Sequence, residues 1–160
     1  MKYTFIVALF SVGLALSGCS ATGPVFKEAE TAPIGKALIY IYRPSSFALA
    51  ARDAHFFVDN EELIHLSNSG YTHTYLSEGR HKIMQRWNES TITGVLFGVS
   101  AKTTEIPLDV KAGEVYFVRF TTGVGDPVYN AVNLAWQLQQ VSPEAAAAEI
   151  SQTKYQPGKR

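Results

Sequence analysis

Four histidines, His55, His65, His73 and His81, are the residues of this chain best suited to acid–base or metal chemistry. A neutral imidazole binds zinc, copper and nickel, and it titrates near neutral pH. The spacings of 10, 8 and 8 residues match no metal-ligand signature. With a two-residue turn at Asn60-Glu61, Phe56 pairs with His65 and His55 with Leu66. The two imidazoles then point to opposite faces of one hairpin. A three-residue turn puts them on the same face, so register decides. The spacing favours structural histidines, and no metal or cofactor is expected.

Other motifs with chemical potential are weaker. Ser151-Gln152-Thr153-Lys154 has the Ser-x-x-Lys form of a serine nucleophile, but its partner motifs are absent. No Gly-x-Ser-x-Gly elbow occurs. Gly123-x-Gly125 lacks a third glycine and leads into a strand, so a dinucleotide site is not expected. Glu61-Glu62 reads as a solvated hairpin tip and Asn88-Glu89-Ser90 as an incidental sequon. No catalytic residue is assigned. Two features suit contact with a partner: the apolar Gly94–Val99 stretch with Leu96 and Phe97, and the Tyr71/His73/Tyr75 stripe on one face of a strand. For both, packing in the core is the competing expectation.

The single cysteine carries the strongest covalent expectation. Phe5–Leu16 is an apolar run of 12 residues behind Lys2, the length of a signal-peptide core and too short to span a bilayer. It leads into Leu16-Ser17-Gly18-Cys19, which resembles a bacterial lipobox. The resemblance implies removal of residues 1–18 and acyl chains on Cys19, with two or more chains giving stable membrane attachment. Ser20, rather than Asp, follows the cysteine, which resembles the pattern of outer-membrane lipoproteins. The expected location is therefore the bacterial envelope, with the domain facing the periplasm.

Loss of residues 1–18 leaves 142 residues, enough for one domain with its own core. The mature chain holds 13 basic and 14 acidic residues, and a formal charge of −1 argues against nucleic-acid binding. With Cys19 acylated, no disulfide can form within the chain. Stability must come from packing, and the full sequence holds nine Phe, eight Tyr and two Trp.

The elements that position these residues are mostly strands. Residues 20–35, with Gly23, Pro24, Pro33 and Gly35, read as a flexible tether of roughly 20–25 Å that lifts the domain off the membrane. Ala37–Arg43 is apolar on both faces, as in a buried central strand, and Pro44 ends it. Strands are expected over 54–59, 63–68, 71–76, 80–87, 104–110 and 115–122, with a further extended segment to Leu138. Pro107 marks 104–110 as an edge strand. Leu76-x-x-Gly79-x-x-x-Ile83 and Val110-x-x-Gly113-x-x-x-Phe117 read as two hairpins of like build. Ser142, Pro143 and Glu144 start a helix to about Lys154, followed by a frayed tail. About seven or eight mostly antiparallel strands with one C-terminal helix suggest a single β-sandwich over 36–141.

Four segments carry a family resemblance: Ala37–Pro44 (ALIYIYRP), Phe57-Val58-Asp59-Asn60, Leu76–His81 (LSEGRH) and Ala112–Arg119 (AGEVYFVR). Together they resemble the small bacterial lipoproteins of domain of unknown function 2846. Members commonly carry Gly after the Asp of the first hairpin; here Asn60 stands there, and Asn also tolerates a left-handed conformation. The resemblance implies a β-sandwich in the cell envelope and no catalytic residues. The expectation is a non-catalytic envelope lipoprotein domain that binds another envelope protein or supports an assembly. Its alternatives are a small-ligand or metal-binding module and an uncatalogued hydrolase.

Overall fold

A computed structural model describes residues 20–87, 103–128 and 131–159, leaving aside the side chains of 126–128 and 131–133. Residues 1–19, Leu96 and Phe97 lie outside the described residues.

The chain forms a mainly β fold with strands β1 (Lys36–Arg43), β2 (Ala54–Val58), β3 (Glu61–Leu66), β4 (Gly70–Ser77), β5 (Gly79–Trp87), β6 (Thr104–Val110), β7 (Val115–Val128), β8 (Ala131–Val141) and β9 (Lys154–Tyr155). Helix α1 (Pro143–Ile150) stands between β8 and β9. One sheet has the order β8-β7-β1-β4-β9 and the other β3-β2-β5-β6. Their facing sides enclose the core, including Ile39, Ile41, Phe56, Ile83, Leu108, Val118 and Phe120. The arrangement is the expected β-sandwich.

β1 is central, as its two apolar faces require. Odd-numbered residues from Ala37 to Ile41 face the inter-sheet core. Leu38, Tyr40 and Tyr42 point the other way, into a second apolar layer. Its neighbours are β4, antiparallel, and β7, parallel. Among the described residues β6, with Pro107, pairs with β5 alone and so is an edge strand.

The two glycine turns read as hairpins are instead crossovers between sheets. β4 and β5 lie in different sheets, as do β6 and β7. Gly79 (φ 139°) and Gly113 (φ 83°) adopt backbone angles open mainly to glycine. The turns meet where the Ala112 amide donates to Glu78 Oε2 at 3.2 Å.

Residues 20–35, expected as a loose tether, are bound to the fold. Ser20 bridges to Asn68 and Val25 to Lys154. The Ala21 amide donates to Asn68 O, Phe26 N to Thr153 O, and Tyr155 N to Pro24 O. Phe26, Ala29 and Ala32 pack on the second apolar layer. A few apolar side chains in a polar segment suffice, because Tyr40, Tyr71 and Tyr75 leave an aromatic face to be covered.

Helix α1 covers the same layer with Ala146 and Ile150. Ser142 caps it, accepting from the Ala145 amide at 3.3 Å. It stops at Ile150, short of the expected Lys154, because the next residues enter the sheet as β9. Lys154 N donates to Ser69 O and Gln156 N to Tyr71 O. The final residues run back past β3, where Lys159 N donates to Leu63 O.

Candidate functional site

The β2–β3 hairpin brings His55, Glu62 and His65 together. Its turn is Asp59-Asn60, both at positive φ, which Asp and Asn tolerate better than most residues. Val58 pairs with Glu61 and Phe57 with Glu62; the register then shifts, and Phe56 pairs with Ile64 and His55 with His65. The extra residue is Leu63, a β-bulge. The expected turn at Asn60-Glu61, with its opposed histidines, is therefore corrected. Without the bulge His55 would face Ile64. With it, both imidazoles share a face with Glu62.

His55 Nδ1 lies 3.2 Å from Glu62 Oε1, and His65 Nε2 lies 2.6 Å from the same oxygen. The ring centroids are 3.8 Å apart. Each group offers a ligand atom, all within 4.8 Å of one another. The Lys159 ammonium bonds the other oxygen, Oε2. That bond, followed by the histidines, holds the Glu62 carboxyl at about 2, well below its usual range. Burial, then the neighbouring His65, lowers the pKa of His55 despite Glu62. At neutral pH the cluster thus holds a firm carboxylate beside a neutral His55.

The Tyr71/His73/Tyr75 stripe faces the chain's own N-terminal segment. Tyr71 is buried, and its hydroxyl accepts from Lys27 N at 3.2 Å. Tyr75 donates to Glu30 O at 3.0 Å, and the Tyr40 hydroxyl accepts from Ala29 N at 2.7 Å. His73 stacks on Tyr155 at 5.5 Å, and burial lowers its pKa. Any contact of this stripe with another molecule is therefore limited by segment 20–35. Between that segment and α1 runs a groove of about 350 Å³, lined by Ala32, Leu38, Tyr40, Val115, Phe117 and Pro143.

The fourth histidine makes its own carboxylate pair at the other end of the hairpin. His81 Nδ1 meets Asp59 Oδ2 at 2.6 Å, and Nε2 meets Ser77 O at 2.9 Å. Burial opposes the charge on His81, but the Asp59 bond outweighs it and the pKa is raised. Both ring nitrogens are occupied by acceptors, an arrangement that holds a proton in place.

The Tyr-Arg-Pro motif has a structural role that composition did not reveal. Arg43 is fully buried. It donates to Arg52 O and Leu49 O, both at 2.6 Å, and its guanidinium lies 5.7 Å from the centre of the Trp87 ring. Burial lowers its pKa to about 10, so it stays charged at neutral pH. It pins the loop between β1 and β2 from inside. A basic residue ending an otherwise apolar strand was the available signal.

These features define a two-sheet β-sandwich whose outer face is closed by segments from both ends of the chain, with a histidine–carboxylate cluster on one edge hairpin. The chain belongs to the family described as Protein of unknown function (DUF2846), whose pattern matches residues 33–133. His55, Glu62, His65 and Arg43 lie within that span, whereas Lys159, α1 and the docked segment before residue 33 lie beyond it. No curated protein matches the chain.

Proposed function

We propose that the chain is a lipid-anchored, non-catalytic domain of the bacterial envelope that binds another envelope protein. The observation that carries the binding role is Phe47, fully exposed to water on a loop that is itself fixed. Ser46 Oγ donates to Thr122 O at 2.9 Å, Thr122 Oγ1 donates to Ala48 O at 2.7 Å, and Arg43 holds Leu49 from below. An aromatic ring carried on a held backbone suits a binding hot spot, because little backbone freedom is lost on contact.

The anchor role rests on the lipobox resemblance at Leu16–Cys19. Ser20 is already bonded to the fold. Acyl chains on Cys19 would start one Cα step, about 3.8 Å, from a docked residue. The domain would then sit directly on the lipid surface, without the stand-off expected of a loose tether. Among the described residues no helix is long and apolar enough to cross a membrane.

A photocrosslinking side chain at Phe47, expressed in the native host, tests the partner. A discrete adduct with one envelope protein is expected. The absence of an adduct from Phe47, and from Leu96 and Phe97, would overturn the proposal. For the anchor, Cys19→Ala should abolish labelling by radioactive fatty acid, and persistent label would refute lipidation at that residue.

A further inference from the structure

We propose that His55 Nδ1, His65 Nε2 and a carboxylate oxygen of Glu62 bind one divalent transition-metal ion, with zinc the best fit and the fourth position left to water.

The donor set is two imidazole nitrogens and one carboxylate oxygen. Imidazole favours zinc, copper and nickel, while magnesium and calcium prefer all-oxygen sites. Zinc bonds of about 2.0–2.1 Å at tetrahedral angles place neighbouring ligand atoms roughly 3.3 Å apart. His55 Nδ1 and Glu62 Oε1 already stand 3.2 Å apart. His65 Nε2 lies 2.6 Å from that oxygen and must open by about 0.7 Å for a tetrahedral ion. The His65 side chain is 44 % exposed, so a small rotation meets no packed neighbour on its open side.

The backbone prepares the site. Cross-strand pairing fixes His55 and His65 opposite each other, and the Leu63 bulge turns His65 onto the face of Glu62. Lys159 bonds Oε2 and leaves Oε1 toward the histidines. Groups that hold a ligand from behind in this way commonly tune metal sites. The surrounding charge is mixed. Lys159 opposes a cation, Arg86 is the cross-strand neighbour of His55 on β5, and Asp53 contributes a negative charge toward His55. The Arg86 guanidinium is drawn aside over the Phe57 ring, 4.2 Å from its centre.

The test uses the untagged full chain in detergent, stripped with a chelator. It is titrated with zinc chloride by calorimetry and with cobalt(II) by visible absorption. One ion per chain and the absorption bands of four-coordinate cobalt are expected. His65→Asn and Glu62→Gln should each weaken zinc binding by at least about tenfold. His81→Asn, outside the cluster, should leave it unchanged. Thermal unfolding without zinc confirms that each variant is folded. Absence of saturable zinc binding at millimolar concentration would overturn the proposal. So would equal affinity in the His55→Asn/His65→Asn double variant.

Discussion

His55 and His65 stand directly opposite each other on β2 and β3, their ring centroids 3.8 Å apart, and one extra residue, Leu63, puts them there. Side chains alternate along a strand, so inserting one residue exchanges the faces of everything beyond it. Two charged imidazoles at that distance would repel strongly.

The ionisation of His55 should therefore depend on the groups around it. Burial and His65 pull the His55 pKa down, while Glu62 pushes it up. Glu62→Gln should lower the His55 pKa further, because the carboxylate that favours its charged form is gone. Histidine ring NMR signals followed across pH give the answer, and an unchanged or higher value would contradict the geometry.

His81 and Asp59 predict the opposite pH dependence. The folded state raises the pKa of His81 and lowers that of Asp59. Stabilisation from the raised histidine is complete below its unfolded value of about 6.5 and fades as pH rises through its folded pKa. That from Asp59 is present above its unfolded value of about 3.9 and fades as pH falls through its folded pKa. The pair should thus stabilise most between about pH 4 and 6.5. Because Asp59 is half exposed, the contribution is about 0.3–1 kcal/mol. Urea unfolding of wild type and His81→Asn should differ more at about pH 5.5 than at about pH 8.

Arg43 predicts a large loss of stability. Arg43→Ala removes a buried side chain and strands the carbonyls of Leu49 and Arg52. A cost of about 3–5 kcal/mol is expected from the cavity and the unpaired oxygens. Arg43→Lys keeps the charge but cannot fork to both carbonyls, and should cost about 2 kcal/mol. Denaturant midpoints at constant slope measure both.

Gly23 predicts release of the N-terminal segment. A Cβ there would lie 1.9 Å from Tyr155 O, a backbone atom that cannot step aside. Gly23→Ala should cost about 1–3 kcal/mol and loosen residues 20–30 while the sandwich persists. Faster hydrogen exchange at the Lys27 and Ala29 amides, with the β1 amides still protected, is the expected outcome.

Much of the sandwich was legible in the sequence. Doubly apolar β1 had to lie between neighbours, and Pro107 had to lie on an edge. The crossovers were not legible, because Gly79 and Gly113 mark a sharp turn without saying which sheet receives the next strand. The bulge at Leu63 leaves no compositional trace within Glu61–Leu66, so the spacing left open whether the two histidines share a face. The docked segment was hidden for a different reason. Its prolines and glycines signal a loop, whereas its attachment depends on the hydroxyl of Tyr40 and on those of Tyr71 and Tyr75, which lie 44 and 45 residues from their partners. Arg43 stood out as a member of a motif, but its burial depends on carbonyls supplied by a loop with no regular pattern.

The docked segment also has a mechanical consequence. Tension applied ahead of Ser20 reaches the Asn68 contact first, then the bonds around Pro24, then Phe26 and the tyrosine hydroxyls. Such attachments give way in succession, as a strip peels, while the parallel pairing of β1 with β7 bears no load until the strip is gone. A pull from that end would lengthen the chain between Ser20 and Gly35 before any strand of the sandwich yields.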